Sequence, residues 1–418
     1  MNERINSMSD SNRSHPTACN ECKSALGPGL SFGPQPIANH LLDTSNELAD
    51  VYPLEVTICR VCGLVQLISP IDSSMFYENY ATPSSWKREP HTERLLDELR
   101  QVLPVTHRIL DVGCNDGAFL ELLRDAGWQE LKGLEPTENT ATECRRRGFD
   151  VVHESLTFEF AKGLVNEDSQ WDCVILRQVL EHIADLADFG LALATLVKPD
   201  GLLVIEVPDG SLNLISRDYG IWEEHVNYFT SDTLTVFLDN AGFDIETAYE
   251  SLFSGTCLTV LARRRPSGTP DFSSFRQGNE ITDRACHAFD KWASEFREFR
   301  AHIQREIETA SELGPVVLYG VGCRSINFIN VMGVSGYLSA AIDSQPEKQG
   351  SFIPGAMIKI LSPAEYEQLS RAPATVLLGV NAENEEKVIS ATHFPVTQWW
   401  SVLPPSPRLV KGWNSALE

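Results

Sequence analysis

The chain has 418 residues, 42% hydrophobic and 22% charged, with a formal net charge of −24. That composition is ordinary for a folded globular protein, and at roughly 150 residues per domain the length fits two or three domains. So acidic a chain does not hold a phosphate backbone by bulk attraction, which makes nucleic acid and anionic membrane poor partners; any bound phosphate must be held by local Arg, Lys or backbone N–H groups.

In chain order, residues 1–14 read as a disordered polar tail without the apolar core of a secretory signal. No apolar run approaches the roughly 18–20 residues of a spanning helix, so a soluble cytoplasmic protein is expected. Residues 15–75 surround two Cys-x2-Cys pairs, Cys19/Cys22 and Cys59/Cys62, with Gly-Pro turns between them. Four thiolates from two such knuckles supply a tetrahedral site for Zn²⁺ at about 2.3 Å. With all four ligands from protein, the zinc is expected to be structural. The alternative is a set of buried or redox thiols. The other six cysteines are scattered singly, and a chain this long is not a disulfide scaffold.

From about residue 105 strand and helix alternate: HRILDVGC, AFLELLRDAGW closing at Gly127, LKGLEP, TATECRRRGF, WDCVILRQ, ADFGLALATLV and GLLVIEVP. This spacing predicts βαβ units and a parallel, doubly wound α/β sheet within a domain spanning 76–265. Residues 266–312 are polar and charged with helical periodicity, a helical connector. A second, smaller α/β domain is expected over 313–418, from GPVVLYGVGCRS, YLSAAIDS and ATVLLGVN.

The turn after the first of these strands reads Asp111-Val112-Gly113-Cys114-Asn115-Asp116-Gly117. Glycines there let a ligand approach backbone, and the following helix presents free N–H groups. The loop lacks the G-x-G-x-x-G spacing of a dinucleotide site and begins with an acid, which suits an ammonium or ribose hydroxyls. Glu135 ends the second strand, about 20 residues on, where it is placed to accept from a ribose. With Gln178 and Val179-Leu180-Glu181-His182 after the third strand, these features resemble the class I S-adenosylmethionine-dependent methyltransferases, whose Rossmann-like sheet and methyl donor the resemblance implies. The candidate cofactor residues are Asp111, Gly113, Asn115, Asp116, Gly117, Glu135 and Gln178. His182 reads equally as a structural hydrogen-bonding residue.

A second resemblance runs from about residue 17 to the end. The cysteine module carries Phe32-Gly33-Pro34-Gln35-Pro36-Ile37-Ala38-Asn39 and Cys59-Arg60-Val61-Cys62-Gly63. The C-terminal part carries Tyr319-Gly320-Val321-Gly322, then Ile342-Asp343 and Ile353-Pro354-Gly355. With the glycine loop between them, these segments resemble, in the same order, the nucleotide-sugar C-methyltransferases, which methylate C3 of 4-keto-deoxysugars. The resemblance implies a small-molecule nucleotide-sugar substrate and a monomer or weak homo-oligomer. It also gives roles to Gly220-Ile221-Trp222-Glu223-Glu224-His225-Val226-Asn227-Tyr228-Phe229: Glu224 and His225 match the family's catalytic pair, and His225 inherits the part of general base. The segment departs from the family at Trp222, where Tyr is frequent, and at Glu223, where His is. Of Phe76-Tyr77-Glu78-Asn79-Tyr80, only Tyr80 fits the family's second tyrosine.

Methylating carbon requires a carbanion equivalent: a base for the C–H beside a ketone, and donors for the enolate oxygen. His225 is the candidate base; Glu224, adjacent in sequence, points elsewhere if the segment is extended, so Glu223 or a residue from another segment is the candidate orienting carboxylate, and Tyr80 and Tyr228 are the candidate donors. In the C-terminal domain Ser325 stands where a dinucleotide loop requires its third glycine. Asp343 is placed like a ribose-binding acid, and Arg324, Lys348 and Asn381 are candidate phosphate or sugar contacts. The competing functions are O- or N-methylation of a sugar or small metabolite, a nicotinamide-dependent oxidoreductase, and a zinc-ribbon nucleic-acid regulator, the last opposed by the charge.

Overall fold

The computed structural model describes residues 18–45, 47, 49–71, 90–275 and 279–414. Their strands, in chain order, are β1 (Leu30–Pro36), β2 (Val51–Ile58), β3 (Val65–Leu67), β4 (Ile109–Val112), β5 (Leu131–Leu134), β6 (Asp150–Val152), β7 (Trp171–Arg177), β8 (Val197–Pro208), β9 (Asn227–Tyr228), β10 (Phe243–Leu252), β11 (Thr256–Arg264), β12 (Val316–Tyr319), β13 (Ala340–Ile342), β14 (Ile360–Leu361), β15 (Ala374–Leu378) and β16 (Val396–Ser401). They form three sheets.

The central sheet has seven strands in the order β10-β11-β8-β7-β4-β5-β6. β4 through β8 are parallel, as the alternation of elements predicts, and their Val, Ile and Leu runs are buried on both faces by flanking helices. To these parallel strands the structure adds an antiparallel hairpin, β10 and β11, on the β8 edge. Its turn is tight at Ser254 and Gly255, both with positive φ. In β10 buried or half-buried residues alternate with exposed ones, because this edge strand covers only one face.

The cysteine module is a four-stranded antiparallel sheet, β1-β2-β3-β9. Its last strand comes from the segment just after His225, so this module and the central domain share a sheet. Further bonds join them: Asn20 Nδ2 donates to Asn227 Oδ1 at 2.9 Å, and Leu186 N to the Asn20 carbonyl at 3.1 Å. Cys19, Cys59, Cys62 and Leu64 pack in one apolar core with Leu176, Leu180 and Phe229.

The C-terminal domain is a five-stranded parallel sheet, β14-β13-β12-β15-β16. Between it and the cysteine module lies the helix Glu280–Leu313, 34 residues long and capped by the Asn279 side chain, which accepts from Thr282 N. Phe289, Trp292, Phe296, Phe299, Ile303 and Ile307 recur at helical spacing and are buried. This stripe packs Phe32 of β1 against Trp292 and Phe296, with ring centroids 6.1 and 5.1 Å apart, and Phe299 against Trp413 at 5.0 Å. The helix is the shared core of two modules.

Candidate active site and zinc centre

The four cysteine sulfurs lie within 4.8 Å of one another, with Cys19–Cys62 at 3.5 Å and Cys22–Cys59 at 3.4 Å. Sulfurs about 2.3 Å from a tetrahedral Zn²⁺ stand roughly 3.8 Å apart, so the cluster fits the ion. Each knuckle closes through a residue with positive φ, Lys23 or Gly63, whose N–H donates to the carbonyl of Cys19 or Cys59. The N–H groups of Glu21 and Val61 point at the Cys19 and Cys59 sulfurs, 3.4 Å from each. Such donors stabilise thiolates.

At the C-terminal ends of β4 and β5 the glycine loop takes the form its composition predicts. Gly113 and Gly117 have φ of 73° and 82°, and a Cβ on either would stand 2.4 Å from Val179 Cγ2 or 2.5 Å from Cys144 Sγ. Glu135 clamps the loop: its Oε2 accepts from Asn115 N at 2.9 Å and its Oε1 from Thr137 N at 2.8 Å. Asp111 is buried beneath it, and burial pushes its carboxyl up to about 7 against the opposing pull of Arg177. Asp116 faces elsewhere: Oδ1 accepts from Ala118 N and Oδ2 pairs with Arg147 at 2.6 Å, so it ties the start of the helix Ala118–Asp125 to Arg147. Gln178 has φ of 55° and sends its amide to Glu206 Oε1 at 3.4 Å. Arg177 also reaches Glu206 at 3.2 Å, and His91 Nε2 at 3.1 Å. This buried group at the ends of β7 and β8 goes unnoticed in the sequence reading, because His91, Arg177 and Glu206 are 86 and 29 positions apart and share no motif.

The segment 220–229 lies beside this face. His225 is flanked by Trp222, whose ring centroid is 4.1 Å away, by His182 at 5.0 Å and edge-on, and by Tyr228 at 6.4 Å. Burial, with the nearby His182 and the positive Arg324, holds its imidazole well below the ordinary pKa, so it is neutral near pH 7. His182 Nδ1 donates to the Glu224 carbonyl at 2.7 Å, and burial lowers its pKa to about 4. His182 therefore makes a structural hydrogen bond and also touches the candidate base.

Neither neighbouring carboxylate orients His225. Glu223 Oε1 accepts from Ala38 N at 2.7 Å, and Glu224 Oε1 from Asn39 Nδ2 at 2.5 Å. Both turn toward the cysteine module, and burial raises both to about 7. Tyr228 corrects a second expectation. Its hydroxyl donates to the Trp222 carbonyl at 3.3 Å and accepts from Trp222 N at 3.2 Å, so it fastens the loop instead of offering a proton to substrate. Tyr80 lies outside the described residues.

The C-terminal candidates are likewise engaged within the protein. Arg324 pairs with Asp218 of the central domain at 2.7 Å and donates to Asn381 Oδ1 and the Pro404 carbonyl. Lys348 donates to the Val321 carbonyl at 2.7 Å. Asp343 accepts from Val321 N and Gln345 N, bracing the Gly320–Gly322 turn, while Ser325 Oγ donates to the Gly320 carbonyl. The turn that resembles a nucleotide loop is filled by its own side chains.

A seven-stranded α/β sheet with its glycine loop and ribose-placed acid defines a class I methyltransferase. Three family models match the chain in sequence: a zinc binding domain over 19–77, a methyltransferase domain over 86–248 and a C-methyltransferase C-terminal domain over 267–400. With these three domains in this order, the chain is an S-adenosylmethionine-dependent methyltransferase. It is similar to C-methyltransferase NovU of Streptomyces niveus, 25% identical over 352 residues, which span 80% of this chain and 83% of that one. A ubiquinone biosynthesis O-methyltransferase of Rhizobium johnstonii is 29% identical over 125 residues, 29% of this chain and 46% of that protein. A solved methyltransferase from Archaeoglobus fulgidus, 22% identical, aligns with 41% of this chain and 94% of its own at a TM-score of 0.34. S-adenosylmethionine is the cofactor and zinc the structural metal. Among the described residues no helix is long and apolar enough to cross a membrane.

Proposed function

We propose that the enzyme methylates a ring carbon beside the ketone of a nucleotide-linked keto-deoxysugar. His225 takes the carbon-bound proton, and the C–H electron pair enters the enolate. S-adenosylmethionine supplies an electrophilic methyl group, and Asp111, Gly113, Asn115, Gly117 and Glu135 are the residues that would hold it. The observation that carries this reading is His225 itself, an imidazole kept neutral among Trp222, His182 and Tyr228. A base must be unprotonated to act. Similarity to a C-methyltransferase over four-fifths of the chain supports carbon as the target. With the Tyr228 hydroxyl engaged by Trp222, Tyr80 is the remaining candidate donor to the enolate oxygen.

The domain limits we adopt are 15–75, 76–265, 266–312 and 313–418. The second reading, O- or N-methylation of a sugar or small metabolite, keeps His225 as base but takes the proton from a hydroxyl or amine. Incubation with labelled S-adenosylmethionine and nucleotide 4-keto-deoxysugars in deuterated water separates the two. Deuterium uptake beside the ketone and methyl transfer to carbon, both abolished by His225→Ala, are expected. A methylated hydroxyl without exchange at carbon moves the function to the second reading.

A further inference from the structure

An imidazolium formed on His225 would be a buried cation with the positive Arg324 nearby, and such a charge requires a carboxylate within reach. Glu223 and Glu224 are turned away, onto Ala38 and Asn39. A third acid is present. Glu181, in the turn after β7, is 1% exposed, and among the described residues neither of its oxygens has a hydrogen-bond partner in another residue. One of its oxygens, a ring nitrogen of His182 and a ring nitrogen of His225 lie within 4.8 Å of one another, and Glu181 Oε1 stands 3.9 Å from His182 Nε2. Because His182 Nδ1 donates to the Glu224 carbonyl, its Nε2 keeps a lone pair on the side facing Glu181.

We propose that Glu181 is the charge partner of His225, its carboxylate, set beside the His182 ring, balancing the imidazolium that forms when His225 accepts the substrate proton. The inference rests on the base role of His225. Glu181 does not touch substrate; it is a positioning residue acting through the two imidazoles. The proton balance is explicit. In the competent state Glu181 is ionised and both imidazoles are neutral. The carbon-bound proton moves to a ring nitrogen of His225 and its electron pair to the enolate, leaving a neutral imidazolium–carboxylate pair. The enolate carbon then bonds to the methyl group as the sulfur–methyl bond breaks, and His225 returns its proton to water.

Burial pushes the Glu181 carboxyl up to about 8, and the negative charge of Glu206 adds to that rise. The groups facing the pair are His182 and Glu206 beside Glu181, and His182, Arg324, Trp222 and Tyr228 around His225. A group with this raised value is protonated at neutral pH, so the competent fraction grows as pH rises through about 8.

The test begins without substrate. The full-length, zinc-loaded enzyme with ¹⁵N-histidine is titrated from pH 5 to 9, the ring signals of His182 and His225 being assigned with His182→Asn and His225→Asn. Both signals are expected to inflect near pH 8, to lose that inflection in Glu181→Gln and to keep it in Glu181→Asp. In turnover, Glu181→Gln is expected to lower kcat roughly 10²-fold, leave the KM for S-adenosylmethionine unchanged and abolish the rise with pH. An inflection that survives in Glu181→Gln overturns the proposal, as does a wild-type kcat and pH profile in that variant. A second bound metal per chain that is lost in Glu181→Gln also overturns it, since the three groups would then be ligands. If the titration behaves as expected but no keto-sugar exchanges deuterium, the pairing stands and the reading of the reaction falls.

Discussion

At the residue scale, two side chains of similar promise in sequence have different duties. Tyr228→Phe removes a hydroxyl that, among the described residues, bonds the Trp222 backbone alone. It is expected to lower stability by about 1 kcal/mol and leave methyl transfer within a few-fold of wild type, as measured by thermal melting and turnover. Glu135→Ala removes a buried carboxylate that already gathers the N–H groups of Asn115 and Thr137. Hydrogen bonds to charged groups contribute about 1.5–3 kcal/mol, so calorimetry should find S-adenosylmethionine bound roughly 10–100-fold more weakly. The glycine loop and Glu135 were readable because a tight turn and a strand-end acid are local features with a fixed separation. The fate of Tyr228 was not readable, since its partner is set by how the loop from Trp222 folds back onto β9. The same is true of Glu223 and Glu224, whose partners Ala38 and Asn39 lie 185 positions away.

At the scale of elements, the helix Glu280–Leu313 and the buried acids behave differently from their sequence appearance. The helix reads as a polar connector because most of its residues are polar or charged, yet one face carries the aromatic stripe that fills the core between two sheets. Phe299→Ala, at a fully buried position against Trp413, is expected to cost about 3–5 kcal/mol in denaturant unfolding, far more than an exposed substitution on the same helix. The hairpin β10-β11 is hard to read in the sequence for a related reason: an edge hairpin that ends the alternation carries no helix to mark it. Asp111 at the end of β4, Glu181 after β7, and Glu223 and Glu224 before β9 have carboxyls pushed by burial to about 7, 8, 7 and 7, from ordinary values of 3.8 and 4.5. The folded state therefore binds more protons than the unfolded one between these limits. Stability is lost as pH rises from about 4.5 toward 8. Thermal melting of the ligand-free, zinc-loaded enzyme should show this decline, with a shallower slope in Glu181→Gln.

At the scale of the molecule, the order of three modules was legible because each carries its own motif, but their union was not. The cysteine module supplies strands β1 to β3, the central domain supplies β9, and segment 220–226 of the candidate active site lies immediately before that shared strand. Asn39 and Ala38 of the module hold the two glutamates of the segment, and Asp218 just ahead of it is held by Arg324 of the C-terminal domain. The loop is thus held from both sides. The ligands Cys19, Cys59 and Cys62 are themselves buried in the core shared with Leu176 and Phe229, so releasing the metal leaves thiols that repack only by moving β3 and β9. Cys62→Ser, or chelation at elevated temperature, is expected to lower the melting temperature and abolish methyl transfer. S-adenosylmethionine binding should weaken much less, because Glu135 and the glycine loop sit on β4 and β5, which are not part of the module's sheet. Metal analysis should give one zinc per chain in the wild type. Retention of full methyl transfer after complete zinc loss would show that the segment around His225 is held by the C-terminal domain alone.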